Sequence, residues 1–267
     1  MRYVFDIETN GFLDDCDTAH CIVLKDIDTN EIHKLDNKEA VKKLEEAELL
    51  IGHNIVKFDI PCLEKLFSAT FKGKIFDTIV ATRLLFSDIR ETDFSRKDFP
   101  RDCIGRHSLK AWGNRIGKYK EQIDTDWKTF TPEMLDYCVQ DVEVTHSLYN
   151  VIHKKGYSAQ AMELEHELYT KLNSRRSELA EELQTIFLPI TEERWSTKTG
   201  KRLKDSITIF NPSSRHHIAK RLKDKYKWEA KEFTPDGKPK LDDNILSKLD
   251  YPEAKILCEH FLLDKRI

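Results

Sequence analysis

What this sequence withholds narrows its setting before any motif is considered. It has six cysteines, Cys16, Cys21, Cys62, Cys103, Cys138 and Cys258, yet no CxxC pair and no His-rich neighbourhood, so the usual zinc-module and redox spacings are missing. No basic-then-apolar leader opens it, and no lipid-attachment signal stands at either end. Its longest apolar runs fall far short of the ~20 residues of a membrane span. These absences predict a soluble protein of a reducing cytoplasm that makes no use of a membrane. Internal repeats and low-complexity tracts are also missing. Net charge selects no partner either, because 44 Lys and Arg against 47 Asp and Glu leave a formal balance of −3.

What is present is enough apolar material, 39% of 267 residues, for one large domain or a domain with a smaller appendage. Charge is unevenly spread. Residues 190–240 hold fourteen Lys and Arg against seven Asp and Glu, so contact with a polyanion is expected there rather than elsewhere. Strand-like segments at 2–7, 21–27 and 31–35 suggest antiparallel pairing. A helical spacing at 39–47 followed by an apolar run at 49–52 predicts a crossover unit. Helices are further predicted at 60–67 and 78–86, with a strand-like step at 75–76 between them. Residues 87–106 read as a long polar loop. Thr131 before Pro132, with Glu133 in the first turn, predicts a helix that runs to Lys155 and stops at Gly156. A second long helix is predicted at 162–187, with a boundary at 157–160. The inferred fold class is α/β, a mixed β-sheet flanked by helices, followed by a mainly helical, basic segment.

Five residues carry most of the chemistry. Asp6 and Glu8 in YVFDIET stand two apart on an apolar strand and point to the same face. Charges held in such surroundings need compensation, and a divalent cation supplies it. Asp59 in HNIVKFD falls at a strand-to-helix junction. Tyr137 and Asp141 in YCVQD lie one helical turn apart on one face, so a phenol there could orient an attacking water. Phosphodiester hydrolysis needs an activated water and charge neutralisation on both sides of phosphorus, which two cations about 4 Å apart can provide. Taken singly, each feature has a plain structural reading: an edge-strand carboxylate pair, a turn asparagine (Asn54) followed by a helix cap, a tyrosine and an aspartate on an amphipathic helix. Their joint occurrence, in this order, favours the catalytic one.

The series DIE, then HN with FD, then YxxxD resembles the three motifs of DEDD-type 3′–5′ exonucleases of the tyrosine subclass, whose fold is a ribonuclease H-like mixed sheet. More narrowly, IGHNIVKFDIPCLEKL, HSLKAWGNRIGKYK from His107 and MLDYCVQDVEVTHSLY from Met134 are similar to the proofreading domain of bacteriophage family A DNA polymerases. RRSEL at 175, FNPSSRHHIAKRL at 210 and the closing FLLDKRI look like the entry into the polymerase thumb. The resemblance implies an exonuclease domain at 1–158 and a thumb-like fragment at 159–267. It also implies a magnesium enzyme (Mn2+ being the alternative ion) that removes nucleoside monophosphates from single-stranded DNA 3′ ends and primer-template. Asp6, Glu8, Asp59 and Asp141 would be the ligands of two cations, with Glu8 and Tyr137 positioning the water. Thr9, Asn10 and Phe12 become substrate contacts, with His53 and Asn54 in support. Tyrosine at position 137 leaves deprotonation of the water to the cations, so activity is expected to rise with pH. If the chain is phage-encoded, its setting is the host cytoplasm.

The polymerase carboxylates of that family lie in palm motifs beyond the thumb entry. The resemblance therefore implies the front part of a polymerase, whose palm and fingers could reside on a second chain. Glu165 and His166 also run straight into the RRSEL helix where the relatives insert a further helix and turn. Lys198, Lys201, Arg202, Lys204, Arg215, Lys220, Arg221 and Lys223 are candidates for duplex phosphate contacts without base selectivity, or else form a solvated helix face. Two other readings stay open: an exoribonuclease of the same superfamily, and a DNA-binding structural subunit of a split polymerase.

Overall fold

A computed structural model describes residues 1–118, 123, 125–196, 199–234, 237 and 239–267. They form two compact units, Met1–Leu168 and Tyr169–Ile267. Among the described residues no helix is long and apolar enough to cross a membrane.

The first unit is built on β1 (Arg2–Thr9), β2 (Ala19–Asp26), β3 (Ile32–Lys34), β4 (Leu49–Gly52) and β5 (Lys74–Asp77), in the order β3-β2-β1-β4-β5. The pairs β1–β2 and β2–β3 are antiparallel, whereas β1–β4 and β4–β5 are parallel. The parallel pairs need crossovers, supplied by α1 (Asn37–Glu45) and α2 (Asp59–Phe67), as such connections require. Residue alternation along β1 sends Tyr3, Phe5 and Ile7 into a core completed by α1 and α2. Val4 goes into a second core on the opposite face. α3 (Thr78–Leu85), α5 (Leu109–Ile116) and α6 (Pro132–Lys155) contribute Ala81, Trp112, Val142 and Leu148 to it. Asp6 and Glu8 share Val4's parity and so stand on the α6 side of the sheet.

Local chemistry fixes the helix ends. The Asp36 side chain accepts from Lys38 N at 3.0 Å to open α1, and Ser108 opens α5 by accepting from Ala111 N. Thr131 takes the N-cap position of α6 but makes no side-chain capping bond, Pro132 begins the helix, and Gly156 ends it at a φ of 77°. At the end of β4, a Cβ on Gly52 would lie 2.1 Å from Ile55 Cγ2, so only glycine lets the turn at 53–56 close against the strand.

Residues 87–106 are not the continuous loop expected. They hold α4 (Ile89–Phe94) and a 3-10 turn, Arg101–Cys103. Ile89, Asp93 and Cys103 turn inward, a pattern too short and too polar for periodicity to reveal.

The second unit contains the rest of α7 (Ala159–Ile186), α8 (Arg215–Tyr226), α9 (Asp243–Leu246) and α10 (Pro252–Arg266) around Leu183, Phe187, Phe210, Leu222, Leu257 and Phe261. It is helical, as expected, but also carries an antiparallel hairpin of β6 (Ile190–Trp195) and β7 (Arg202–Thr208). Near this core the Glu253 carboxylate, almost fully buried, bonds Lys225 and accepts from Tyr226 Oη at 2.6 Å.

Candidate active site

The site is assembled where the C-terminal ends of β1 and β4 meet the first turn of α2 and the middle of α6. Oxygens of Asp6 and Glu8 and the sulfur of Cys138 all lie within 4.8 Å of one another. Cys138 Sγ stands 3.3 Å from Asp6 O and 3.5 Å from Asp6 Oδ2, which fixes α6 against β1 at the residue following Tyr137. Asp59, the first residue of α2, reaches back to the same strand, where its Oδ1 accepts from Ile7 N at 3.3 Å.

Electrostatics tie in the fourth carboxylate. Burial pushes the Asp59 carboxyl up to about 8, and the negative charges of Asp77 and Asp141 add to the rise. Asp141 is buried on α6 one turn beyond Tyr137. Carboxylates from β1, α2 and α6 thus stand in one neighbourhood: Asp59 bonds the strand that carries Asp6 and Glu8, and the charge of Asp141 reaches Asp59. The oxygen donors fit hard divalent cations such as Mg2+ or Mn2+. Burial and the two neighbouring carboxylates favour the neutral form of Asp59, and a nearby cation would favour its charged form.

Tyr137 is half-buried, with its ring edge-on to Trp127 at 5.9 Å. Trp127 is held from below by His20, whose Nε2 lies 2.9 Å from Trp127 O. Thr9 and Asn10 have structural partners of their own. The Thr9 hydroxyl donates to Gly11 O at 2.8 Å. Asn10 donates to Asp17 Oδ1 at 2.7 Å and accepts from Asp17 N and Thr18 N, closing the loop after β1. Lys65 Nζ of α2 bonds Leu13 O and Asp14 O of that loop. Phe12 is left 82% exposed on it.

His53 Nδ1 lies 2.8 Å from Thr78 Oγ1. Asn54 sits at φ 69° with its backbone N–H on Asp77 Oδ1. Asp77 was not anticipated. Fully buried, it accepts from Asn54 N at 2.8 Å, Val56 N at 3.1 Å and Ile79 N at 3.0 Å, and so holds the turn that delivers Asp59. Burial raises its pKa even against these three donors. His166 Nε2 accepts from Asp77 N at 2.7 Å while its Nδ1 lies 2.8 Å from Met162 O. The signal for Asp77 was the Asp-Thr pair opening α3, a helix cap by type. Cys138 was missed as well, since cysteine among apolar helix residues reads as core.

In the second unit, Lys201, Arg202, Arg215 and Lys220 are exposed. Arg202 lies 3.4 Å from Glu193 and 3.3 Å from Asp205, and Lys220 lies 3.0 Å from Glu192. Arg221 donates to Leu188 O at 2.7 Å. Lys198 lies outside the described residues.

No family model matches the chain. It is 26% identical to the "DNA-directed DNA polymerase" of Enterobacteria phage T3 over 397 residues, covering 99% of this chain and 56% of the relative. Its match to the enzyme of the same name from Escherichia phage T7 is also 26% over 395 residues, with the same coverage. The whole chain is therefore homologous to phage DNA polymerases, in agreement with the motifs, and it spans little more than half the length of these relatives. One solved structure, "apo form of the nuclease", aligns with a TM-score of 0.47 and 22% identity over 69% of this chain and 86% of that one. Another, "POL domain of Pol1 from M. smegmatis complex with DNA primer-template and dNTP", gives 0.36 and 12% over 98% and 44%. Scores of that size leave the strand order and the site to speak for themselves.

Proposed function

We propose that this chain is a metal-dependent 3′–5′ exodeoxyribonuclease of the proofreading type, forming the front part of a DNA polymerase. The observation that supports the reading is the close Asp6–Glu8 pair on β1, with Asp59 of α2 bonded to Ile7 N of the same strand and the charge of Asp141 of α6 reaching Asp59. Asp6, Glu8, Asp59 and Asp141 would hold two divalent cations, Mg2+ or Mn2+. When bound, these ions activate water and neutralise charge on the phosphate. Glu8, half-buried at the end of β1, and Tyr137, braced by Trp127, orient the water on the side of the pocket facing α6. Phe12 offers a face on which the terminal base stacks, an interaction worth ~1–3 kcal/mol per base. Asp77 and His53 act through the 53–56 turn and keep Asp59 in register with β1.

The product is a nucleoside 5′-monophosphate and the substrate a single-stranded DNA 3′ end. Lys201, Arg202, Arg215, Lys220 and Arg221 would meet duplex phosphates of a primer-template, though several already hold carboxylate or carbonyl partners, which weakens each as a phosphate donor. The test is a Mg2+-dependent assay on matched 3′-labelled DNA and RNA strands. Stepwise shortening of DNA that stops on chelation, and in Asp6→Ala/Glu8→Ala, is the expected result. Preferential degradation of RNA would turn the assignment to an exoribonuclease, and full activity in the folded double variant would remove it.

A further inference from the structure

We propose that Cys138 makes the Asp6–Glu8 pair a mixed oxygen-and-sulfur site that takes a thiophilic divalent cation of the Zn2+ or Cd2+ type in competition with the hard ion. This deepens, and rests on, the reading of the pocket as a cation site. A buried cysteine ordinarily serves as a small hydrophobe. Cys138 is fully buried, yet its sulfur lies 3.5 Å from Asp6 Oδ2 and within 4.8 Å of a Glu8 oxygen. In a tetrahedral zinc site with ordinary Zn–S and Zn–O bond lengths, neighbouring donor atoms stand ~3.3–3.8 Å apart, and the sulfur–oxygen distance here already falls in that range.

The sheet sets a further cysteine beside Glu8. Glu8 pairs with Cys21 across β1 and β2, and directly opposed residues of an antiparallel pair project to the same face with Cβ atoms ~4.5–5.5 Å apart. Cys21 is itself buried, and its Sγ lies 4.0 Å from Met134 O of α6. The Cys138 sulfur and the two carboxylates form a three-donor set whose soft member favours zinc-like ions by softness rather than by charge. On binding, the Cys138 S–H bond breaks, its proton leaves to solvent, and the sulfur electron pair takes the cation. An ion so held occupies Asp6 and Glu8 and shuts out the hard cation.

The full chain, stripped with chelator, is titrated with Cd2+ while the ultraviolet sulfur-to-cadmium charge-transfer absorption is followed. The expected result is a band saturating at one equivalent. It is lost in Cys138→Ser and in Cys138→Ala, with Cd2+ affinity lowered about tenfold or more, ~1.4 kcal/mol, and circular dichroism reports that each variant is folded. Cys62→Ser is the control, because Cys16 and Cys62 form a buried thiol pair at 3.6 Å; the band persists there. Absence of the band in the wild type, its survival in either Cys138 variant, or its loss in Cys62→Ser overturns the proposal. Mn2+ binding to the wild type, read by electron paramagnetic resonance, separates the two levels. Mn2+ bound without a cadmium band removes only the thiol role, whereas absence of both removes the cation site itself.

Discussion

Asp93 and Asp59 are both buried in the first unit, one in the corner formed by α4 and α5, the other in the acidic pocket. Asp93 meets a cation supplied by the chain: Arg115 donates from Nε at 3.0 Å and from Nη2 at 2.7 Å, and Gly105 N adds a third bond at 2.9 Å. Burial acts to raise the Asp93 pKa, but the Arg115 bonds and charge outweigh it and hold the group low. Asp59 has a backbone N–H and two neighbouring carboxylates, and burial carries it up to about 8. The contrast separates a buried carboxylate that comes with its counter-charge from one whose neighbours are a backbone N–H and two further carboxylates.

The comparison breaks most sharply at the pocket. Asp59→Ala is expected to lower Mg2+-dependent DNA degradation on the order of 10³-fold, ~4 kcal/mol, with thermal stability retained; a loss of folding instead would class Asp59 with Asp93. Arg115→Ala should do the reverse, costing about 3–5 kcal/mol of stability because Asp93 is left buried without its partner, while the folded fraction keeps its specific activity. Urea unfolding of both variants, with activity measured on the same samples, reads the two effects together.

Adding Mg2+ at 100 times its dissociation constant is expected to stabilise the wild type by about 2.7 kcal/mol. Chelator should reverse the gain, and Asp59→Ala should show little of it in a thermal melt. The smallest effect concerns His107, whose pKa is lowered to about 4 by burial, then by the charges of Arg115 and Arg83. Below the ordinary histidine value the unfolded chain takes up a proton that the folded one resists, so stability present above about pH 6.5 is lost as pH falls toward 4. His107→Gln should flatten that slope by on the order of 1 kcal/mol once solvent screening is allowed for. An unchanged slope would place the acid sensitivity wholly on pairs such as Asp93–Arg115, whose contribution is lost at lower pH, as the carboxylate protonates.

Much of this was legible in the residues. Alternation along YVFDIET placed Asp6 and Glu8 on one face without reference to any other segment, and the i, i+4 spacing did the same for Tyr137 and Asp141. Pro132 and Gly156 bounded α6 as their backbone preferences demand. The helix inside 87–106 was not legible, because six residues with one apolar anchor and a buried aspartate carry no period. The β6–β7 hairpin was hidden for a related reason: its residues are half-exposed or exposed and charged, so neither strand shows the inward-outward alternation that burial imposes.

By itself the sequence determined which carboxylates share a face, where α6 begins and ends, and the likeness to phage polymerases, since these depend on residues near one another or on the order of motifs. Only the tertiary structure decided that Asp77 braces the turn before Asp59 and that Cys138 lines the carboxylate pair. Each of those is a contact between segments far apart in the chain, and local spacing carries no information about which distant group a buried donor, acceptor or thiol will meet.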